Sequence, residues 1–126
     1  MKPLNAKACN TEHGKIAEDI ALNYLKQNKL KYIERNFRSS FGEIDLILKD
    51  KNTLVYIEVR YRNNNNFMGA LETIDRRKCE RIIATSQYYQ QCNRNAVNMD
   101  TRFDVVVING DLNNPNIEWI KNAFQA

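Results

Sequence analysis

The sequence predicts an α/β domain in which a mixed sheet is flanked by helices. Three observations predict it. A stretch of helical period near the N-terminus gives way to three successive segments of period two. A second helical stretch then separates these from two further strands, so the order reads α-β-β-β-α-β-β. The 126 residues, 43% hydrophobic and 27% charged, suffice for one soluble core and not for two.

The elements follow in order. Residues 1–10 carry little pattern and read as a loose N-terminal tail, which leaves 11–126 as a single domain. Ile16, Ala17, Ile20, Ala21, Tyr24 and Leu25 form one stripe of an amphipathic helix over about 12–28. Residues 31–38 are rich in β-formers and end in a Ser39-Ser40 turn. Residues 42–49 alternate, with Ile44, Leu46 and Leu48 on one face and Asp45 and Ile47 on the other. Residues 53–61 alternate again, Val55, Ile57, Val59 and Tyr61 opposite Leu54, Tyr56, Glu58 and Arg60. The run of asparagines at 63–66 cannot build a core and reads as an exposed loop. A second helix is predicted over about 75–92, with Cys79, Ile82, Ile83, Ser86 and Tyr89 on its inner stripe. Strands at 102–108 and 117–120 flank a turn at 110–115.

Composition narrows the function classes. The longest aliphatic run, Val105-Val106-Val107-Ile108, is far short of the roughly 20 residues that span a bilayer, so no membrane partner is expected. Met1 to Asn5 offer no apolar stretch for a signal peptide, and Cys9, Cys79 and Cys92 lack metal-ligand spacing. Reduced thiols in a cytoplasmic protein are the expectation. The net charge is +4, and +3 of it falls between Arg60 and Arg81, on Arg60, Arg62, Arg76, Arg77, Lys78 and Arg81 against three acids. Such a cluster serves a solvated face, or a polyanionic partner such as nucleic acid.

The acids carry more information. If Lys51-Asn52 is a two-residue loop, residue 50 pairs with 53 and Asp45 stands opposite Glu58. Like charges directly opposite across strands are destabilising, so this register requires a counter-charge. Arg60, two residues on and on the same face as Glu58, would supply one; so would a bound cation. Converging carboxylates suit Mg²⁺, a hard ion that keeps several waters. Glu18 lies at the edge of the first helix's stripe, with Gly14 and Ala21 one turn away, leaving room for a strand or an ion. The same position suits a boundary glutamate in solvent. His13 reads as incidental, Cys79 as core, and Asp104 as a structural acid pairing with Arg102 or Arg35.

Six blocks then carry a family resemblance. Gly14-x-x-Ala17-Glu18-x-x-Ala21-x-x-Tyr24-Leu25 comes first, followed by Glu34-Arg35-Asn36-Phe37-Arg38 and Gly42-Glu43-Ile44-Asp45-Leu46-Ile47. Ile57-Glu58-Val59-Arg60-Tyr61-Arg62, Arg102-Phe103-Asp104-Val105-Val106 and Trp119-Ile120-Lys121-Asn122-Ala123-Phe124 complete the set. In this order they resemble the YraN-like family of predicted bacterial endonucleases, across residues 14–124. The resemblance implies a restriction-endonuclease-like αβββαβ core of the PD-(D/E)xK superfamily, whose relatives include archaeal Holliday-junction resolvases. It implies Mg²⁺ or Mn²⁺ on Asp45 and Glu58, with Glu18 as the acid of the first helix. Arg60 fills the superfamily's lysine position. Arginine stays charged and cannot act as a general base, yet it can hold a scissile phosphate. Lys78 on the second helix is the candidate for the missing amine. Arg35, Arg38, Arg62, Arg76 and Arg77 are candidate phosphate contacts, each equally suited to a solvated surface. Two function classes follow: a metal-dependent endonuclease of DNA processing or repair, or a nucleic-acid-binding module of the same fold with little or no catalysis. A homodimer is expected by analogy with the resolvases alone.

Overall fold

The computed structural model describes residues 12–62 and 74–126. Helix α1 spans Glu12–Gln27, and strands β1, β2 and β3 span Lys31–Arg38, Glu43–Asp50 and Thr53–Arg62. Helix α2 spans Arg76–Cys92 and runs into a 3-10 turn at Arg94–Ala96. Strands β4, Asp100–Asn109, and β5, Asn116–Phe124, complete the sheet. The αβββαβ core is present, with β5 added beside it. The strands lie in the order β1-β2-β3-β4-β5. Among the described strands only β3 and β4 pair in parallel. A parallel pair needs a long crossover, and the segment that contains α2 supplies it.

The two helices cover opposite faces. Ala17, Ala21 and Leu25 of α1 pack on Leu46, Leu48, Val55, Ile57, Val59, Val106 and Ile108. Ile82 and Tyr89 of α2 pack on Ile47, Leu54, Tyr56 and Phe103, the residues between. A Cβ at Gly42 would lie 3.3 Å from the Arg81 Cβ and 3.4 Å from Thr85 Oγ1, so glycine lets α2 close on the start of β2.

The predicted hairpin register is present: Asp50 pairs with Thr53, and the ladder continues to Leu46 with Ile57. Lys51 supplies the turn by adopting φ 56°, a left-handed conformation that glycine takes more easily.

Three expectations need correction. The inner stripe of α1 is rotated: Gly14, Ala17, Glu18, Ala21 and Leu25 are buried, while Ile16 is exposed. Small residues let this face approach the sheet, and Arg35 and Asn36 satisfy the glutamate that comes with it. Ile44 belongs to the cluster of Ile47 under α2 rather than with Leu46 and Leu48, so strict alternation fails at Asp45. Strand β5 reaches Phe124, beyond the predicted 120, because a register shift near Asp104 absorbs the irregular stretch around Asn122 (φ 53°). The predicted tail at 1–10 and the asparagine run at 63–66 lie outside the described residues.

Candidate functional site

The fold brings Glu58, Arg60 and Lys78 together. Glu58 is an inward residue of β3, with its side chain 1% exposed. Arg60 follows on the same face and donates from Nη1 to Glu58 Oε2 at 3.2 Å. Lys78 approaches from the other element, its Nζ 3.8 Å from the same oxygen. Its position is set locally. Asp75 is the N-cap of α2, and its Oδ1 accepts the Lys78 backbone N–H at 2.8 Å. The first turn of the helix is thus fixed with the lysine facing the strand. Both cations keep about a third of their side chains in solvent, 31% for Arg60 and 28% for Lys78.

Asp45 is fully buried beside this group. The β2–β3 ladder stops one pair short of it. Its Oδ2 instead accepts the backbone N–H of Val59 at 2.8 Å. In the β1–β2 pair Arg35 faces Leu46 and Phe37 faces Ile44, which sets Asn36, with φ 55°, alongside Asp45. The β2–β3 ladder thus ends beside this aspartate, where β2 also changes its packing partners.

Glu18, 2% exposed, is held from β1. Arg35 donates to its Oε1 at 3.2 Å and Asn36 Nδ2 at 3.3 Å. Asn36 Nδ2 also reaches Glu43 Oε2 at 3.2 Å, and Arg38 Nε lies 3.6 Å from that oxygen. Arg35 further pairs with Asp19 at 2.9 Å. Burial alone would lower the Arg35 pKa, but its bonds to Asp19 and Glu18 outweigh this and hold it above its ordinary value. Arg35 is thus engaged within the fold. Arg38, Arg76 and Arg77 are exposed, and Arg62 is half-buried at the end of β3.

The donor chemistry fits a hard divalent cation in one respect: two buried carboxylates, Asp45 and Glu58, from neighbouring strands. Among the described residues no group of three His, Cys, Asp or Glu side chains converges as a metal cage. The arrangement therefore suits an ion held by one or two carboxylates and several waters, as Mg²⁺ often is.

The remaining candidates have other duties. His13 is exposed and meets Tyr61 edge-on, with ring centroids 6.1 Å apart. Cys79 is half-buried; burial pushes its thiol pKa up, and the charges of Asp75 and Glu58 push it further. Asp104 is structural and pairs with Arg102, the first of its two expected partners. Sequence reasoning missed Asn36, Glu43 and the Asp75 cap. An aspartate just before a helical run is a recognisable capping signal, and asparagine tolerates the left-handed region, but neither pattern indicates which acid it will serve. No helix among the described residues is long and apolar enough to cross a membrane.

The family model described as "Uncharacterised protein family UPF0102" matches residues 17–108. A UPF0102 protein of Legionella pneumophila is 45% identical over 115 residues, covering 91% of this chain and 96% of its own. One from Methylococcus capsulatus is 43% identical over 113 residues, 90% of each chain. One from Nitrosococcus oceani is 41% identical over 126 residues, 100% of this chain and 98% of its own.

Proposed function

The chain belongs to the UPF0102 family, and we propose that it is a metal-dependent phosphodiesterase acting on nucleic acid, DNA being the expected substrate. One observation carries this reading: the buried Glu58 carboxylate, next to Asp45, is met by two partly exposed cations from different elements. A merely structural acid needs neither two long, solvent-reaching partners nor a second buried acid beside it.

Asp45 and Glu58 would hold Mg²⁺ or Mn²⁺, and Glu18 of the first helix is the candidate for a third acid. When bound, the ion supplies Lewis-acid activation of the phosphoryl oxygen and of a water. The chain's own residues do the rest. Arg60 and Lys78 hold the scissile phosphate and offset the charge that develops on it. Arg60 cannot take a proton, so Lys78 is the group of this pair that can exchange one. Exposed Arg76 and Arg77 extend the positive surface at the start of α2.

The test is cleavage of labelled branched, single-stranded and duplex substrates with Mg²⁺, Mn²⁺ or EDTA. Wild type should cut in the presence of metal only. Asp45→Ala and Glu58→Gln should each lose about 100-fold or more, since several kcal/mol of transition-state stabilisation go with the ion. Activity that survives in Glu58→Gln would belong to a contaminant. A second reading, a binding module without catalysis, draws support from Arg60 already neutralising Glu58. It expects unchanged binding in Glu58→Gln and no cleavage by wild type.

A further inference from the structure

A second concavity lies on the α2 face of the sheet. A cleft of about 450 Å³ opens at the C-terminal end of α2, beside the 3-10 turn. Leu54, Tyr89, Ala96 and Met99 give it an apolar floor, and Lys49 and Arg94 stand in its lining. This volume lies within the range of small-ligand sites, roughly 300–1,000 Å³. Its wall is fixed from inside. Gln90 Nε2 donates to the Ala96 carbonyl at 2.8 Å and to that of Met99 at 3.4 Å. Asn93 Nδ2 donates to the Tyr89 carbonyl at 2.8 Å.

Charge supplies an independent observation. Lys31 and Lys49 are direct cross-strand partners in the β1–β2 ladder. Like charges so placed destabilise an antiparallel pair. Asp50, next to Lys49 in sequence, is tied to Arg102. Glu34 is the acid whose charge reaches Tyr89. Lys31, Lys49 and Arg94 outnumber Glu34 on this face and leave it a surplus of positive charge. Arg94 also offsets the negative end of α2, but the lysine pair has no such duty.

We propose that this cleft seats one unstacked base of a single-stranded nucleic-acid segment, with the adjoining phosphates on Lys31, Lys49 and Arg94. A basic rim beside a cleft that contains an aromatic side chain, here Tyr89, is the combination by which single strands are bound with little sequence preference. The proposal rests on the nucleic-acid reading above and narrows its substrate class. Leu54 and Glu58 share a face of β3 four residues apart, roughly 13 Å at about 3.3 Å per residue. The substrate is therefore one that continues as an unpaired strand to one side of the cutting point.

The test uses the full chain and a labelled oligothymidylate, with affinity read by fluorescence anisotropy over a range of salt. Lys49→Glu combined with Arg94→Glu should weaken binding about tenfold or more. Each lost phosphate contact should flatten the log–log salt slope by about 0.7. KM should rise while kcat at saturation holds. The thermal midpoint takes two opposed changes, since Lys31 then faces an acid while the glutamate at 94 meets the negative end of α2, so it should move little. Unchanged affinity and slope in a folded variant would overturn the proposal. So would thymidine monophosphate binding the cleft as tightly as the oligonucleotide, since the occupant would then be a free nucleotide. Cleavage that needs Glu58 while the double variant binds normally would overturn the cleft and keep the nuclease. Binding that needs the cleft without any cleavage would do the reverse.

Discussion

Two buried acids sit on neighbouring strands and are held in different ways. Asp104 of β4 pairs in register with Ile57, one residue before Glu58 of β3, and the two acids point to opposite faces. Asp104 receives Arg102 in a fork, Nε to Oδ1 and Nη2 to Oδ2, both at 3.0 Å. Trp119 Nε1 and the backbone N–H of Asn122 add two more donors at 2.9 Å. The Arg102 guanidinium pKa is raised, first by its hydrogen bonds to Asp104. Every one of these donors comes from β4 or β5. Glu58 is met instead by a strand arginine and a helix lysine, at 3.2 and 3.8 Å, both reaching solvent. Donors fixed by an indole ring and a backbone lock an acid in place. Long cations at the solvent boundary can exchange it for another ligand.

The largest expected effect tests the first half of this contrast. Asp104→Ala leaves the half-buried Arg102 with Asp50 alone and strands an indole N–H and a backbone N–H, and should cost about 3 kcal/mol of folding stability. Denaturant titration measures it. A cost below about 1 kcal/mol would place Asp104 in the same class as Glu58 and dissolve the distinction. Glu58→Gln tests the other half. The amide keeps the side chain's shape and removes the desolvation cost of a buried charge, and the partly exposed cations can turn to water, so stability should change by about 1 kcal/mol or less, while metal-dependent cleavage falls about 100-fold or more.

A smaller effect separates the two faces by pH. Tyr56 shares the α2 face with Glu58 and donates to the Ser86 carbonyl at 3.4 Å. Burial, and then the neighbouring Tyr89, push its phenol far above the ordinary value of 10.0. The unfolded chain therefore releases this proton first as pH rises past about 10, and the folded state keeps it. Stability contributed by the neutral phenol is full below pH 10 and declines above it, by about 1.4 kcal/mol per pH unit until the folded group also ionises. Unfolding midpoints of wild type and Tyr56→Phe, taken from pH 9 to 11, should diverge above 10 with the variant flatter. Parallel curves would show that the α2 face opens before it resists ionisation.

Most of the fold was legible because its signals are local. Alternation over residues 53–61 and the residue 50–53 register are read from the chain itself, and both are present. The legible part of the site was the part on one strand: Glu58 and its counter-charge Arg60. Lys78 was legible as a candidate because it flanks the inner stripe of α2. Glu18 was harder. A glutamate beside Gly14 and Ala21 reads equally well as boundary or core, and its burial depends on Arg35 and Asn36 arriving from another element. The break at Asp45 was not legible. Alternation predicts that Ile44 and Leu46 share a face, and only the capture of the Val59 N–H by the aspartate shows why they do not. Long-range satisfaction of polar groups leaves little trace in local pattern.

The smallest effect lies in the turn that joins the strands of Asp45 and Glu58. Lys51 occupies the left-handed region at φ 56°, which costs a non-glycine residue roughly 1–2 kcal/mol. Glycine removes that strain and returns roughly 0.5–1 kcal/mol of it as lost backbone entropy. Lys51→Gly should therefore raise stability by about 0.5–1 kcal/mol in denaturant titration. The turn lies beyond the Asp50–Thr53 pair, at the end of the hairpin away from both acids. If the exchangeable partners of Glu58 make the site, cleavage at 25 °C should be unchanged in this variant. A loss of cleavage in step with the gain in stability would instead tie activity to loosening of the hairpin, and the contrast between the two acids would then reflect strand mobility rather than the nature of their donors.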